Sequence, residues 1–444
     1  MDTTHADESG SEKGCPVVSG SASTRVRGSL ADPNIQADPE SFYRNMRAED
    51  PVHYDEQLGL YLVSRYEDVL AVLHDPKTFS SRAGYEAQYA KGNFEEFKQI
   101  LIRDGGGFFF DVIMNDPPEH TRVRRLMAKA FTVHRVATLE PAITALVVDL
   151  IEKLAAKAER QQVVDGVNDF AVPLTTAIIA EQLGISQLDA KKIQRWSLAV
   201  VAQISGMQTR EQMQENAQQI CELQNFIIAR IKEREVEPRE DVISDLVHAR
   251  TAEGGKLGFD EVVSLVRAVL IAGNETTTSA LSSLFFVLAT RPDVARILQE
   301  SADDGRLMSR FVEELLRSEP PVRGLSRMTT REVTLGGAVL PEGAHILVLF
   351  GSACHDEAEY GCPMQFDVSR SNLGRHVAFG SGIHSCIGAP LARMEIKVTS
   401  REVVRRLDDI RLAIPADQIR YMATVATHSM QSLPLTLKRK ALPP

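Results

Sequence analysis

One cysteine lies in a glycine-rich run near the C-terminal end of the sequence. Cys386 is preceded by Gly380 and Gly382 and followed by Gly388, and glycines allow sharp turns and the close approach of a flat partner. No second cysteine or close histidine pair accompanies this thiol, whereas a metal site made wholly of protein needs several ligands at recognisable spacing. A single thiolate suits a haem iron, because the porphyrin provides the equatorial ligands itself.

A second unusual stretch interrupts the longest predicted helix, which runs from about residue 260 to residue 290. Its apolar pattern is broken at residues 272–278, where a glycine and several threonines weaken the helix. On a helical wheel Ala272, Gly273 and Thr276 share one face. This face forms a shallow strip that a flat macrocycle and a diatomic ligand could approach.

Both stretches resemble motifs of one protein family. Residues 379–388 read Phe-Gly-x-Gly-x-His-x-Cys-x-Gly and are similar to the haem-binding loop of cytochromes P450. Residues 272–277 read Ala-Gly-Asn-Glu-Thr-Thr and are similar to the oxygen-activation motif of that family. The resemblance implies haem b with Cys386 as axial thiolate ligand, and Glu275 and Thr276 as the acid–alcohol pair that relays protons to dioxygen. The haem contacts that it implies in these motifs are Ala272, Gly273, Phe379, Gly380, His384, Cys386 and Gly388.

Two further groups match family positions. The propionate carboxylates of a haem need cations and hydrogen-bond donors when they are buried, and the matching positions are His120, Arg124, Arg327 and His384. Glu314 and Arg317, three residues apart on a predicted helix, match the Glu-x-x-Arg pair of the family, and Arg370 matches its third member. By resemblance this network is structural and locks the segment before the cysteine loop.

The apolar pattern and the resemblance predict the same fold. Spacings of three and four residues predict a mainly α-helical protein, and short alternating stretches predict strands. We expect a mainly α fold with small β-sheets, the cytochrome P450 fold, with haem between the helix at about 260–290 and the cysteine loop. Residues 31–444 are expected to form a single domain, and the polar residues 1–30 a disordered segment. The clearest strand-like stretches are Val52–Tyr54, Tyr61–Val63, Val333–Leu335, His345–Phe350 and Pro434–Leu437.

Composition argues against several classes of protein. The formal net charge of -10 disfavours nucleic acid as a partner, because phosphate binding needs a positive face. The five cysteines are odd in number and mostly far apart, which argues against a disulfide framework and favours a reducing cytoplasm. The first thirty residues lack the apolar core of a signal peptide, and no membrane anchor is visible.

Electrons are expected to come from other proteins. The sequence contains no flavin, nicotinamide or iron–sulfur motif, and the resemblance implies a ferredoxin with its NAD(P)H-driven reductase. A basic cluster could dock an acidic ferredoxin, although a solvated helix face would explain it equally well. This cluster comprises Arg122, Arg124, Arg125, Lys129 and Arg135.

The resemblance also places the walls of a substrate pocket. The candidate wall residues are Phe108, Phe109, Val269, Val322, Leu325 and Met430. They favour a small apolar or weakly polar organic substrate, such as a terpenoid, fatty acid, aromatic or macrolide-like compound. The run Gly105–Phe110 suits a mobile lid, and the alternative is that its phenylalanines anchor the loop to the core. Arg323 could either meet a substrate carboxylate or face solvent.

Three other functions remain open from the sequence. A non-catalytic haem-binding sensor or carrier would not need the acid–alcohol pair. A peroxide-driven haem enzyme would also lose it, by resemblance to such members of the family. A non-haem enzyme could use Cys386 as a nucleophile with His384 as base, but it would need neither the central-helix motif nor the cations that match propionate partners.

Overall fold

The computed structural model describes residues 26–89, 93–128, 133–205, 208–251 and 254–441. Lys129 of the basic cluster and most of the predicted disordered segment lie outside these ranges. The α-helices are α1 (Pro33–Ala37), α2 (Glu40–Glu49), α3 (Tyr66–His74), α4 (Ser81–Tyr89), α5 (Phe94–Asp104), α6 (Glu119–Met127), α7 (Val133–Thr138), α8 (Glu140–Gln161), α9 (Val172–Gln182), α10 (Ala190–Ser205), α11 (Arg210–Val236), α12 (Val242–His248), α13 (Phe259–Thr290), α14 (Pro292–Ser301), α15 (Gly305–Ser318), α16 (Phe350–Ala353) and α17 (Ala389–Arg406).

Short strands form small sheets beside the helices. The strands are β1 (Val52–Asp55), β2 (Leu60–Val63), β3 (Phe79–Ser80), β4 (Val164–Asp165), β5 (Gly324–Thr329), β6 (Val333–Leu335), β7 (Ala338–Leu340), β8 (His345–Leu349), β9 (Leu407–Leu412) and β10 (Pro434–Arg439). The largest sheet has the order β1-β2-β8-β5-β3, in which only β2 and β8 run parallel among the described pairs. β10 pairs with β4 and β9, and β6 with β7. The predicted mainly α fold with small sheets is confirmed.

The five predicted strands are present as β1, β2, β6, β8 and β10. β8 ends at Leu349 rather than Phe350, because Phe350 begins α16. The sequence analysis did not include β5, whose residues alternate between apolar and polar only weakly and whose pairing partner β8 lies about twenty residues further along the chain. Its position matters for the site, because β5 contains Arg327.

The predicted central helix is α13, and its ends agree with the prediction to within one residue. The Glu261 carboxylate accepts a hydrogen bond of 2.8 Å from the amide of Gly258 just before the helix, and acidic residues in a first turn favour the helix dipole. Pro292 ends the helix on its far side, since proline lacks an amide proton and disfavours helical conformation in the residue before it. α13 packs against α9, α10, α11 and α17.

The apolar core is divided into two main clusters that share α13. Leu265 and Leu270 of α13 belong to a cluster with α5, α10 and α11. Leu281 and Leu284, further along the same helix, belong to a cluster with α8, α15, α17 and the sheets. The interrupted stretch 272–278 therefore lies at the junction of the two clusters, where a break in helix packing is least costly to either core.

The ordered body of the protein begins before the predicted boundary at residue 31. Leu30 is fully buried, and the hydroxyl of buried Ser29 donates to the carboxylate of Asp55 at 2.7 Å. These two residues correct the prediction that the disordered segment extends to residue 30. None of the helices in the described ranges combines the length and the apolar composition of a membrane span.

Candidate active site

The cysteine loop is a compact turn that leads directly into α17. Gly380 and Gly382 have φ angles of 66° and 68°, in the region that favours glycine. A Cβ atom on Gly382 would lie 2.5 Å from the carbonyl oxygen of Leu73. The amide of Cys386 donates to the carbonyl of Phe379 at 2.9 Å, which closes the loop. The glycines are thus required by the turn and by its packing.

The environment of Cys386 combines burial with groups that favour an anion. Its side chain is exposed on one side, while the protein atoms around it raise the pKa of the thiol by desolvation. The backbone amides of Gly388 and Ala389 and the guanidinium groups of Arg124 and Arg393 oppose this rise. The N-terminus of α17 also favours a negative charge here. The loop is therefore arranged to present one sulfur towards its open side.

A buried cation lies on β5. Arg327 is 3% exposed, and burial lowers its pKa to about 10. Its Nη1 donates to the carbonyl of Ser326 at 2.7 Å, and it makes no salt bridge with any described residue. Asp116 is the carboxylate that acts on it electrostatically, although the side chain of Asp116 accepts hydrogen bonds from Ser80 and Ser81. A buried guanidinium of this kind fits an anionic group of a bound cofactor.

The predicted propionate partners on α6 lie next to the cysteine loop. Nη2 of Arg124 donates to the carbonyl of Ser385 at 2.5 Å. The ring centroids of His120 and His384 are 4.4 Å apart, and the buried Nδ1 of His120 has no hydrogen-bond partner among the described residues. Burial lowers the pKa of His120, and the charge of Arg124 adds to this effect. The guanidinium of Arg124 and the imidazole of His120 fit a cofactor that carries carboxylates, such as haem.

The threonine-rich stretch of α13 has two faces with different partners. Asn274 is 1% exposed, donates to the hydroxyl of Ser197 at 3.1 Å and accepts from the hydroxyl of Thr175 at 2.7 Å. It anchors this part of α13 to α9 and α10. Ala272 on another face is exposed although it lies halfway along a buried helix. Thr276 is half-buried, and its hydroxyl donates to the carbonyl of Ala272 at 2.8 Å.

Glu275, between these two faces, has the electrostatics of a proton donor. Burial raises the pKa of its carboxyl to about 7. At neutral pH both protonation states are therefore populated, which is the condition for efficient general acid–base chemistry. The adjacent Thr276 hydroxyl donates its hydrogen to the Ala272 carbonyl, so its oxygen can accept a hydrogen bond from another donor.

The Glu-x-x-Arg residues form a buried network. Glu314 and Arg317 are fully buried and bind each other through two hydrogen bonds of 2.7 and 2.9 Å. Arg370 donates to the same carboxylate at 3.1 Å. The remaining guanidinium donors bind backbone carbonyls in the segment 354–365. This network organises the chain between β8 and the cysteine loop.

The predicted pocket walls come from distant parts of the sequence that the fold brings together. Val322 forms an isolated β-bridge with Thr427, which places it beside the turn that contains Met430. Val269 and Met430 are buried, and Leu325 lies half-buried in β5. These positions are compatible with one apolar wall, and their contact with a substrate stays a prediction.

The run Gly105–Phe110 is packed against neighbouring parts of the protein through its three aromatic rings. Phe109 is buried, Phe108 packs against Phe94 with a centroid distance of 5.6 Å, and Phe110 packs against Tyr85 at 5.9 Å. Anchoring, the alternative that the sequence left open, therefore applies to all three aromatic rings.

A polar network that the sequence analysis missed also holds the run Gly105–Phe110 in place. Arg267 of α13 donates to the carbonyl of Phe109 at 2.7 Å and to the carboxylate of Asp111 at 2.5 Å. Gln224 of α11 donates to the carbonyls of Gly105 and Gly107. In the sequence, Arg267 and Gln224 look like polar positions on helix surfaces, and no local signal indicates their distant partners.

The structure shows the surroundings of the basic residues that the sequence singled out. Within the basic cluster, Arg122 is paired with Glu261 and Arg135 with Asp245, so much of its charge is neutralised. Arg323 does not face solvent, because it is 2% exposed and donates to the carbonyls of Thr427 and Gln36. These bonds hold Arg323 in the core, its buried Nη1 has no hydrogen-bond partner among the described residues, and contact with a substrate carboxylate stays a hypothesis.

Comparison with known proteins is consistent with the site. The family model for cytochrome P450 matches residues 52–410. The chain belongs to the cytochrome P450 family. Cytochrome P450 107B1 of Saccharopolyspora erythraea is 32% identical over 91% of this chain and 96% of its own length. The mycinamicin IV hydroxylase/epoxidase of Micromonospora griseorubida is 34% identical over 84% of this chain and 89% of its own.

The fold is shared with solved structures of the same family. Cytochrome P450 CYP109Q5 from Chondromyces apiculatus superposes with a TM-score of 0.79 at 32% identity, covering 93% of this chain and 98% of that protein. The fold and the enzyme class predicted from the sequence, an oxidoreductase of the P450 monooxygenase type, are thereby confirmed.

Proposed function

We propose that this protein inserts one atom of dioxygen into an apolar or weakly polar organic substrate, with electrons from a separate ferredoxin and its NAD(P)H-driven reductase. The reaction is hydroxylation, O-dealkylation or epoxidation. The observation that supports this most is the position of Glu275, whose carboxyl has a pKa raised by burial to about 7, next to Thr276 in the chain and at the junction of the two apolar clusters. A haem carrier without turnover would not need a buried acid there.

The proposed cofactor is haem b, which supplies the redox and dioxygen chemistry when it is bound. Cys386 would be the axial ligand, because its loop presents an exposed sulfur and the nearby backbone amides and guanidinium groups oppose the rise in thiol pKa that burial causes. Arg124, Arg327 and His120 would hold the carboxylates of the cofactor. The binding of two buried carboxylates to cations avoids a desolvation cost of several kcal/mol for each charge.

The protein contributes proton delivery and the exclusion of bulk water. Glu275 holds a proton at neutral pH and can release it. Thr276 would orient that proton through its hydroxyl, which is fixed by the carbonyl of Ala272. The apolar clusters on both sides of 272–278, together with a cofactor bound over the exposed face at Ala272, would keep bulk water from this region, which favours productive use of the reductant. A peroxide-driven enzyme would not require this pair, which makes that alternative less favourable.

We propose a macrolide-like or other polyketide compound as substrate. The support is the similarity to a hydroxylase/epoxidase of mycinamicin IV, together with the apolar candidate walls Val269, Val322, Leu325 and Met430. The anchored rings of Phe108 and Phe109 would form a fixed part of the pocket. These candidate walls contain no charged residue, which favours an uncharged substrate.

We further propose one domain from Ser29 onward and a reducing compartment such as the cytoplasm. Both apolar clusters contain residues of α13, which supports a single domain. Cys221, Cys354, Cys362 and Cys386 are free thiols, which supports the compartment.

The docking of ferredoxin can be tested at Arg125, the exposed member of the basic cluster. Because Arg122 and Arg135 have acidic partners, Arg125 is the position where a charge reversal should matter most. The variant Arg125→Glu is expected to raise the ferredoxin concentration needed for half-maximal turnover about three- to tenfold. Turnover supported by hydrogen peroxide should stay at the wild-type rate, since it needs no protein partner.

A charge reversal elsewhere on the surface provides the matched control. Arg306, exposed near the N-terminus of α15, is replaced by Glu in the same assay, and ferredoxin-supported turnover is expected to stay unchanged. Equal losses of ferredoxin-supported and peroxide-supported turnover in Arg125→Glu would contradict the docking role. Absence of any ferredoxin-supported product in the wild type, across several ferredoxins, would contradict the proposed electron source.

A further inference from the structure

The guanidinium of Arg393 lies over the ring of Phe379, the first residue of the cysteine loop. The guanidinium carbon of Arg393, in the second turn of α17, is 4.5 Å from the centre of the Phe379 ring. The carbonyl of the same Phe379 accepts the amide of Cys386 at 2.9 Å. Phe379 therefore has two roles: its ring contacts Arg393, and its carbonyl closes the loop around the sulfur.

Arg393 is itself held by a second residue. Glu313 of α15 accepts two hydrogen bonds from it, from Nε at 2.6 Å and from Nη2 at 2.8 Å. A bidentate pair of this kind fixes the plane of a guanidinium as well as its position. His376, which is 7% exposed, places its Nε2 3.0 Å from the same carboxylate and its ring 6.1 Å from that of Phe379.

The charge state of this clamp is stable over the working pH range. Burial alone would raise the pKa of Glu313, but Arg393 and His376 together lower it to about 2. Glu313 is therefore ionised, and its hold on Arg393 persists at neutral pH. The positive charge of Arg393 in turn lowers the pKa of the Cys386 thiol against the effect of burial. Arg393 thus acts on the loop through both geometry and charge.

We propose that Arg393, clamped by Glu313, is a positioning residue of the cysteine loop that fixes Phe379 and the backbone of Cys386 and so holds the sulfur in position as a ligand. The inference rests on the proposed haem cofactor. It goes beyond the motif residues, because Arg393 and Glu313 lie outside the Phe379–Gly388 loop and outside the Glu314–Arg317 pair. Loss of the clamp would let the loop loosen, so that the sulfur would be held less firmly as a ligand.

The test uses the purified haem-loaded protein without any redox partner. Four variants are compared with the wild type: Arg393→Gln, Arg393→Lys, Glu313→Gln and Arg401→Gln. The first readout is the rate at which the red-shifted Soret band of the reduced carbon monoxide complex converts to the band of a protein without thiolate ligation. The second readout is the equilibrium midpoint potential of the iron, which is independent of ferredoxin docking.

Arg393→Gln is expected to speed this conversion about three- to tenfold, in line with the loss of charge-assisted hydrogen bonds. It should also shift the midpoint potential to a more negative value, because a cation near the thiolate favours the reduced state. Arg393→Lys and Glu313→Gln keep the positive charge at residue 393 but lose the bidentate clamp. They should speed the conversion and shift the potential less than Arg393→Gln does.

Arg401→Gln is the matched control, because Arg401 lies on α17 and pairs with Glu140 and Glu402 without touching the cysteine loop. It should match the wild type in both readouts. The proposal is overturned if Arg393→Gln and Arg393→Lys match Arg401→Gln in both. A wild type that lacks the red-shifted band would instead overturn the haem-thiolate assignment, so the two failures are distinguishable.

Discussion

Replacement of Glu314 by glutamine is expected to lower the free energy of unfolding by about 3–5 kcal/mol, the cost of leaving a buried charge without its partner. Glu314 is fully buried and is the carboxylate shared by Arg317 and Arg370. Glutamine keeps the size of the side chain but removes its charge, so two buried guanidinium groups lose their anion. Since a folded domain is stable by only about 5–15 kcal/mol, this is a large fraction of the total.

Chemical unfolding followed by circular dichroism measures this effect. Glu300→Gln is the control, because Glu300 is exposed on α14 and its replacement should change stability by less than about 0.5 kcal/mol. Glu314→Gln should also load less cofactor, because Arg317 and Arg370 hold the segment that precedes the cysteine loop. A loss below about 1 kcal/mol would show that this network is not essential to the fold.

Replacement of Thr276 by valine is expected to uncouple electron use from product formation. Valine keeps the branched shape but removes the hydroxyl that donates to Ala272. Without it, proton delivery becomes disordered, and the amount of product per NAD(P)H should fall at least about tenfold, within the usual range for loss of acid–base catalysis. Consumption of NAD(P)H should continue, with hydrogen peroxide as the alternative product.

Two companion variants separate the hydroxyl from a general effect on α13. Thr276→Ser keeps a hydroxyl and should restore most of the coupling. Thr277→Val changes the neighbouring buried threonine and should leave coupling close to that of the wild type. Glu275→Gln should lose coupling as Thr276→Val does, because the amide cannot release the proton. Equal coupling in Thr276→Val and the wild type would contradict the proton relay.

The sequence was most informative where chemistry restricts residue types over a short stretch. The glycines around Cys386 and the break in α13 at 272–278 could be recognised because they conflict with ordinary helix or loop preferences. The ends of α13 were predictable from its apolar period and from Pro292. Glu314 and Arg317 could be paired because they lie one turn apart on the same helix.

The sequence was least informative where charged residues find partners far along the chain. Arg122 and Arg135 resembled a docking patch because their partners, Glu261 and Asp245, lie more than a hundred residues away. Arg323 resembled a binding residue because its acceptors are backbone carbonyls, which no sequence pattern reveals. Such contacts are determined by tertiary packing, and only the structure could supply them.

The carbon monoxide difference spectrum of the dithionite-reduced protein, compared between the wild type and Cys386→Ser, tests the central claim most directly. A strongly red-shifted Soret band in the wild type alone is the predicted result, because Cys386 would be the thiolate ligand of the haem. A protein without haem would contradict the account. So would a Soret band typical of histidine ligation that persists unchanged in Cys386→Ser.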